Sequence, residues 1–124
     1  MNKRIFISFA IEDVKYRDFL VAQAKNDRSP FEFIDMSVKQ AWESDWENKC
    51  RSKIKGCDGM IALISKNTPS ASGEIFEIRC GYEEGVPVML MYINSDRPAL
   101  PSLISNKQIN IWSWDNLKTF ISKL

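Results

Sequence analysis

Residues 58–93, DGMIALISKNTPSASGEIFEIRCGYEEGVPVMLMYI, decide the fold. Their first eight residues, DGMIALIS, are apolar without alternation, the pattern of a strand whose sheet is covered on both faces. KNTPSASG (66–73) is turn chemistry. SGEIFEIRCGYEE (72–84) reads as a helix, and Gly85 ends it. VPVMLMYI (86–93) is a second strand, again apolar on both faces. Strand, helix and strand in this order make a parallel βαβ unit.

The same alternation extends outward. KRIFISF (3–9) is β-branched and aromatic, a first strand. Residues 10–27 turn helical, with Tyr16, Leu20 and Ala24 at i+4 spacing and Phe19 beside them. FEFID (31–35) is a short second strand, and residues 36–43 have no period and read as a loop. Ser44-Asp45-Trp46-Glu47 fits a capping box. The helix it opens carries Trp46, Cys50, Ile54 and Cys57 on one stripe. After strand 4 come a proline-containing loop (94–106), a fifth strand KQINIW (107–112), and a last helix with Leu117, Phe120, Ile121 and Leu124 as its apolar stripe. The expectation is a flavodoxin-like α/β fold, a doubly wound five-stranded parallel sheet in the order 2-1-3-4-5, forming one domain over residues 1–124. Such sheets bind ligands beyond the carboxyl ends of their strands, beside strand 1.

Composition narrows the chemistry. The net charge of +1, with no long run of one sign, gives no footprint for a nucleic acid or a membrane surface. The run IFISFAI is too short to span a bilayer and lacks the form of a signal peptide, so a cytoplasmic protein is expected. Cys50, Cys57 and Cys80 have neither a disulfide nor a zinc spacing and read as buried thiols. With no histidine in 124 residues, Ser–His and Cys–His nucleophile pairs and a histidine base are all excluded. Chemistry must run on carboxylates, hydroxyls, lysines or backbone dipoles.

The loop after strand 1, SFAIED, has neither GxGxxG nor a P-loop. Its Glu12-Asp13 pair is similar to the acidic pair of response-regulator receivers, but Ser65 stands where a receiver needs an aspartate ending strand 3. After strand 2, Asp35 can accept a ribose hydroxyl or simply end the strand. Trp42 can stack on a flat heterocycle or pack at a helix start, and Ser37 lies between them. Four glutamates lie on or at the end of the helix at 72–84. At about 100° per residue, Ile75, Ile78 and Tyr82 form its apolar side, which leaves Glu77 facing solvent with Glu83 and Glu84. Glu74 is a first-turn residue favoured by the helix dipole. Only its place in the second turn, near the carboxyl edge of the sheet, sets Glu77 apart.

KRIFISFAIEDVKYRDFL resembles the opening strand and helix of Toll/interleukin-1 receptor (TIR) domains. DGMIALISKNTPSASGEIFEI with EEGVPVMLMYI resembles their third strand, polar loop, helix and fourth strand. INIWSWDNLKTFISKL is similar to the final segment of the bacterial TIR-like branch that includes the signalling subunit of Thoeris anti-phage systems. The likeness covers essentially the whole chain. Catalytic TIR domains cleave NAD⁺ with the glutamate of a Trp-x-x-x-Glu pattern. In this register the glutamate is Glu77 and the tryptophan position is Gly73, a departure that removes a packing anchor of the helix. SGEIFEI followed by GVPV is also similar to nucleoside 2-deoxyribosyltransferases, and their nucleophilic glutamate falls on Glu77 as well.

The resemblance implies an NAD⁺ nucleosidase or ADP-ribosyl cyclase that makes a nucleotide signal in anti-phage defence. It has NAD⁺ as substrate, no other cofactor and no metal. The implied partners are a separate effector that reads the product and further copies of the chain through TIR–TIR contacts. The alternatives are a non-catalytic TIR interaction module and a deoxyribosyltransferase-like enzyme. Glu77 is the expected catalytic carboxylate, and Ser8, Phe9 and Ala10 the floor of the ribose pocket. Asp35, Ser37 and Trp42 are expected as further contacts. Ser72 is expected to bind substrate or cap its helix, the cap being the favoured role.

Overall fold

The computed structural model describes residues 3–26, 31–34 and 45–124. It contains the strands β1 (Lys3–Ser8), β2 (Phe31–Ile34), β3 (Gly59–Ile64), β4 (Val88–Tyr92) and β5 (Ile109–Asn110). The helices are α1 (Val14–Asn26), α2 (Trp46–Lys55), α3 (Ser72–Glu83) and α4 (Trp114–Ser122), with 3₁₀ turns at Ile11–Asp13 and Thr68–Ser70. The strands form one sheet in the order β2-β1-β3-β4-β5, and every neighbouring pair is parallel. This is the expected doubly wound topology.

Strand parity divides the core into two layers. Ile5 and Ile7 of β1, Ile61 and Leu63 of β3, and Met89 and Met91 of β4 pack with Leu20 of α1 and with Leu117 and Ile121 of α4. Their neighbours point the opposite way. Phe6 and Met60 meet Trp46, Cys50 and Ile54 of α2, while Ala62, Ile64 and Leu90 meet Ile78 of α3. All six residues of β3 are buried, which explains its unbroken apolar run. Each such Ile or Leu contributes about 1.5–3 kcal/mol on burial. Ser8, two residues beyond Phe6, falls on the α2/α3 layer by the same parity.

Several local expectations change. β5 is two residues long rather than six; at this sheet edge the Asn110 side chain bonds the Leu90 carbonyl, and Ser113 then caps α4 by accepting from the Asn116 N–H. Phe19 is 59% exposed rather than on the buried stripe, its ring standing edge-on to Tyr16. α2 buries Trp46, Cys50 and Ile54 as expected, while Cys57 lies just past its end. Asp45 stands at its N-cap without a side-chain cap, and Ser44 lies outside the described residues. α3 ends as expected. The Val86 N–H returns to the Gly81 carbonyl, and Gly85, at φ 71°, takes the left-handed position of a Schellman motif.

Candidate active site

Helix α3 does not present to the core the face that apolar periodicity assigns to it. Its buried residues include Glu74, Glu77, Ile78 and Gly81, the i, i+3, i+4, i+7 stripe of a core-facing helix. Two members are carboxylates and one has no side chain, so hydrophobic pattern cannot reveal the stripe. Gly81 lets the helix approach the sheet closely, because a Cβ there would stand 2.9 Å from Met60 Cε and 3.1 Å from Val88 Cγ2. Ile78 does reach the core, Tyr82 packs at its margin, and Ile75 is half-buried.

Glu77, expected to face solvent, is fully buried at 0% exposure, and Glu74 is buried one turn earlier. Buried carboxylates are costly unless hydrogen-bonded. For Glu77 a partner comes from the sheet: the Ser8 hydroxyl, also fully buried, stands 2.8 Å from Glu77 Oε1 and 3.4 Å from the Glu74 carbonyl. Ser8 has one hydroxyl hydrogen, and the shorter contact to a carboxylate takes it. The pair joins the last residue of β1 to the second turn of α3, at the carboxyl edge of the sheet.

A cleft of about 180 Å³ opens beside this pair, with residues 9–12 on one wall and residues 70–74 on the other. Phe9, Ala10 and Ser72 therefore line one space. Ser8 and Glu77 do not line it but adjoin it through Phe9 and Glu74. The Phe9 ring turns toward α1, with the Arg17 guanidinium carbon 5.3 Å from its centre. Ser72 is not a cap. Ala71 holds the N-cap position without a side-chain bond, and Ser72 is the exposed first residue of the helix. Asp35, Ser37 and Trp42 lie outside the described residues.

The anchor missing at Gly73 is supplied from another helix. The indole of Trp46, 2% exposed, lies against Gly73, with Cη2 3.8 Å from where a Cβ would stand. Its ring also packs on Phe76, with centroids 5.5 Å apart. At the far end of α3, Glu83 and Glu84 are not simply solvated. The Arg51 guanidinium of α2 bonds both, at 2.9 and 2.7 Å, and holds the Glu84 carboxyl below its usual range. α2 thus clamps α3 at both ends.

Sequence reasoning also misses a polar knot between the turn after β1 and the loop after β3. Asp13, 4% exposed, accepts from the Ser65 hydroxyl at 2.5 Å and from Asn67 Nδ2 at 2.9 Å. Thr68, fully buried, accepts from the Ser65 N–H at 2.9 Å. The signal was present: Asp13 and Ser65 are the two positions compared above with a receiver's acidic site, and they do come together, as a hydrogen-bonded pair. No helix among the described residues is long and apolar enough to cross a membrane.

The model of the family "Thoeris protein ThsB, TIR-like domain" matches residues 6–98. No curated protein sequence matches the chain significantly. Among solved structures, the TIR domain of the Toll-related receptor TRR-2 from Hydra magnipapillata superposes with a TM-score of 0.65 at 10% identity, covering 96% of this chain and 91% of that one. A 2-deoxyribosyltransferase from Bacillus psychrosaccharolyticus gives 0.66 at 15% identity, over 93% and 90% of the two chains. A prokaryotic SEFIR domain gives 0.52 at 14% identity, over 98% and 89%. At these identities the superpositions establish the fold alone. The family match spans most of the chain, including the Ser8–Glu77 pair and both cleft walls, and the chain belongs to the ThsB TIR-like domains of Thoeris systems.

Proposed function

We propose that the chain cleaves the N-glycosidic bond between nicotinamide and ribose in NAD⁺, with Glu77 as the catalytic carboxylate, and so makes a nucleotide signal in anti-phage defence. The observation that carries this reading is the buried Ser8–Glu77 pair beside a cleft at the carboxyl edge of the sheet. A TIR-like family supplies the context.

The chemistry suits a chain without histidine. In NAD⁺ the nicotinamide is already cationic; when the C1′–N bond breaks, the electron pair leaves with it and a neutral base departs. No general acid is required. The ribose becomes oxocarbenium-like, and a carboxylate stabilises that charge directly or through the ribose hydroxyls. Water adding at C1′ completes hydrolysis; a nucleophile from the adenine end completes cyclisation. The ribose meets Glu77 beside the cleft, where the Ser8 hydroxyl holds its carboxylate. The cleft is smaller than the about 300–1,000 Å³ of a site that encloses a drug-sized ligand. Residues 9–12 and 70–74 therefore hold the reacting end of the dinucleotide and not the whole of it.

A panel of NAD⁺, deoxynucleosides and nucleoside monophosphates tests the reading. Nicotinamide release from NAD⁺ with the other compounds intact is the expected result. Base exchange on deoxynucleosides with NAD⁺ untouched replaces it with the deoxyribosyltransferase reading. Self-association or effector capture indifferent to Glu77, with no turnover of any compound, replaces it with the interaction module. A cytoplasmic site of action, an effector that binds the product and self-assembly through TIR–TIR contacts belong to the same proposal.

A further inference from the structure

We infer that Asp13, which contributes nothing to the Ser8–Glu77 pair, is a positioning residue that fixes the spacing of the two cleft walls; this rests on the proposed NAD⁺ chemistry of the cleft. A chain of hydrogen bonds runs from one wall to the other. On the first wall the Asp13 N–H returns to the Ala10 carbonyl at 2.8 Å, binding Asp13 into the 3₁₀ turn that carries Ile11 and Glu12. Its carboxylate crosses to the loop after β3. One oxygen accepts from the Ser65 hydroxyl and the other from Asn67 Nδ2. The Ser65 oxygen in turn accepts from the Asn67 N–H at 2.9 Å. From there the Ser70 N–H returns to the Asn67 carbonyl, the Ala71 N–H to Thr68, and the Ile75 N–H to Ala71. That last bond enters α3.

The crossing joins segments 52 residues apart in sequence, tying the turn that ends the first wall to the loop that leads into the second. A carboxylate suits the position because both its oxygens accept and both groups facing it donate. An amide of the same shape can still serve. Asparagine at 13 accepts the Ser65 hydroxyl at its oxygen and, if the Asn67 amide turns over, donates to the Asn67 oxygen. Alanine can do neither. The geometry of two bonds, rather than charge, is what the site uses.

Asp13→Ala, Asp13→Asn and Asn67→Ala test this in the full chain, by steady-state nicotinamide release and by amide hydrogen exchange. Asp13→Ala is expected to raise KM for NAD⁺ about tenfold while kcat stays within about twofold, because the Ser8–Glu77 pair is left in place. Asp13→Asn should restore KM to within about threefold of the parent, and Asn67→Ala should raise it by less than Asp13→Ala does. A role in fold stability alone would lower kcat through loss of folded enzyme at constant KM; that result, or an Asp13→Asn no better than Asp13→Ala, overturns the inference. The exchange arm is independent of activity. The amides of Asn67, Thr68 and Ala71 should exchange at least about tenfold faster in Asp13→Ala while those of β3 and β4 keep their rates. Unchanged or uniformly faster exchange overturns the inference. A parent chain that releases no nicotinamide defeats the functional reading instead, and exchange still decides whether Asp13 holds the walls. If Asp13→Ala does not fold, Asn67→Ala carries both readouts.

Discussion

At Ser8 a single hydroxyl lies between a helix carbonyl and a carboxylate, and the 2.8 Å contact to Glu77 settles its orientation. Ser8 therefore bonds the carboxylate, and the sequence contained a clue to this. It is the one polar residue among the four buried residues of β1, and strand parity aims it at α3. Ser8→Ala should leave the fold intact at a cost of about 1–3 kcal/mol, since a buried carboxylate loses one donor. It should lower kcat about tenfold with KM little changed, because Glu77 loses the contact that orients it. Nicotinamide release followed over a range of NAD⁺ concentrations reads both parameters; unchanged kcat would show that Ser8 does not position Glu77.

The lesson of helix α3 is that a core-facing stripe can be written in polar residues. Glu74, Glu77, Ile78 and Gly81 have the right spacing but the wrong chemistry for a hydrophobic pattern, and Ile75 and Tyr82 on the flanks draw the reading away from them. Only position along the helix and family register pointed to Glu77. The partners were less legible still, because Trp46 and Arg51 reach α3 from a helix that ends 17 residues earlier. Trp46 makes a clear prediction about the departure at Gly73. Gly73→Ala, whose Cβ would meet Trp46 at an ordinary 3.8 Å, should stabilise the protein by about 0.5–1 kcal/mol through reduced freedom of the unfolded chain. Gly73→Trp, which places the tryptophan of the catalytic TIR pattern there, should instead destabilise it by about 1–3 kcal/mol, because the space is already filled. Denaturant midpoints measure both; a Gly73→Trp variant as stable as the parent would mean that Trp46 does not occupy the anchor's place.

On the scale of the whole molecule, the topology was legible because β3 and β4 are apolar on both faces and the strands alternate with helices. Contacts between segments far apart in sequence, such as Asp13 with Ser65 and Ser8 with Glu77, left single-residue clues in the sequence but no pattern that pairs the partners. The two layers also explain the cysteines. All three lie in the α2/α3 layer and are buried, and burial pushes the Cys57 thiol up to about 11 and that of Cys80 upward as well. Thiol reagents at pH 8 should leave them unmodified until the chain unfolds. Unfolded thiols ionise near 9.0 and the folded Cys57 only near 11, so the unfolded state loses protons first and stability should fall as pH rises across that window. Rapid alkylation of the native protein would contradict this packing.

All three scales converge on Glu77: a hydroxyl that orients it, a helix that buries it, and a sheet edge that brings a cleft beside it. The most direct measurement is nicotinamide release from NAD⁺ by the parent chain and by Glu77→Gln, which keeps the shape of the side chain and removes its charge. The account predicts release by the parent and a loss of about 10²–10³ in kcat for Glu77→Gln with its fold unchanged. Equal rates from the two proteins would contradict it.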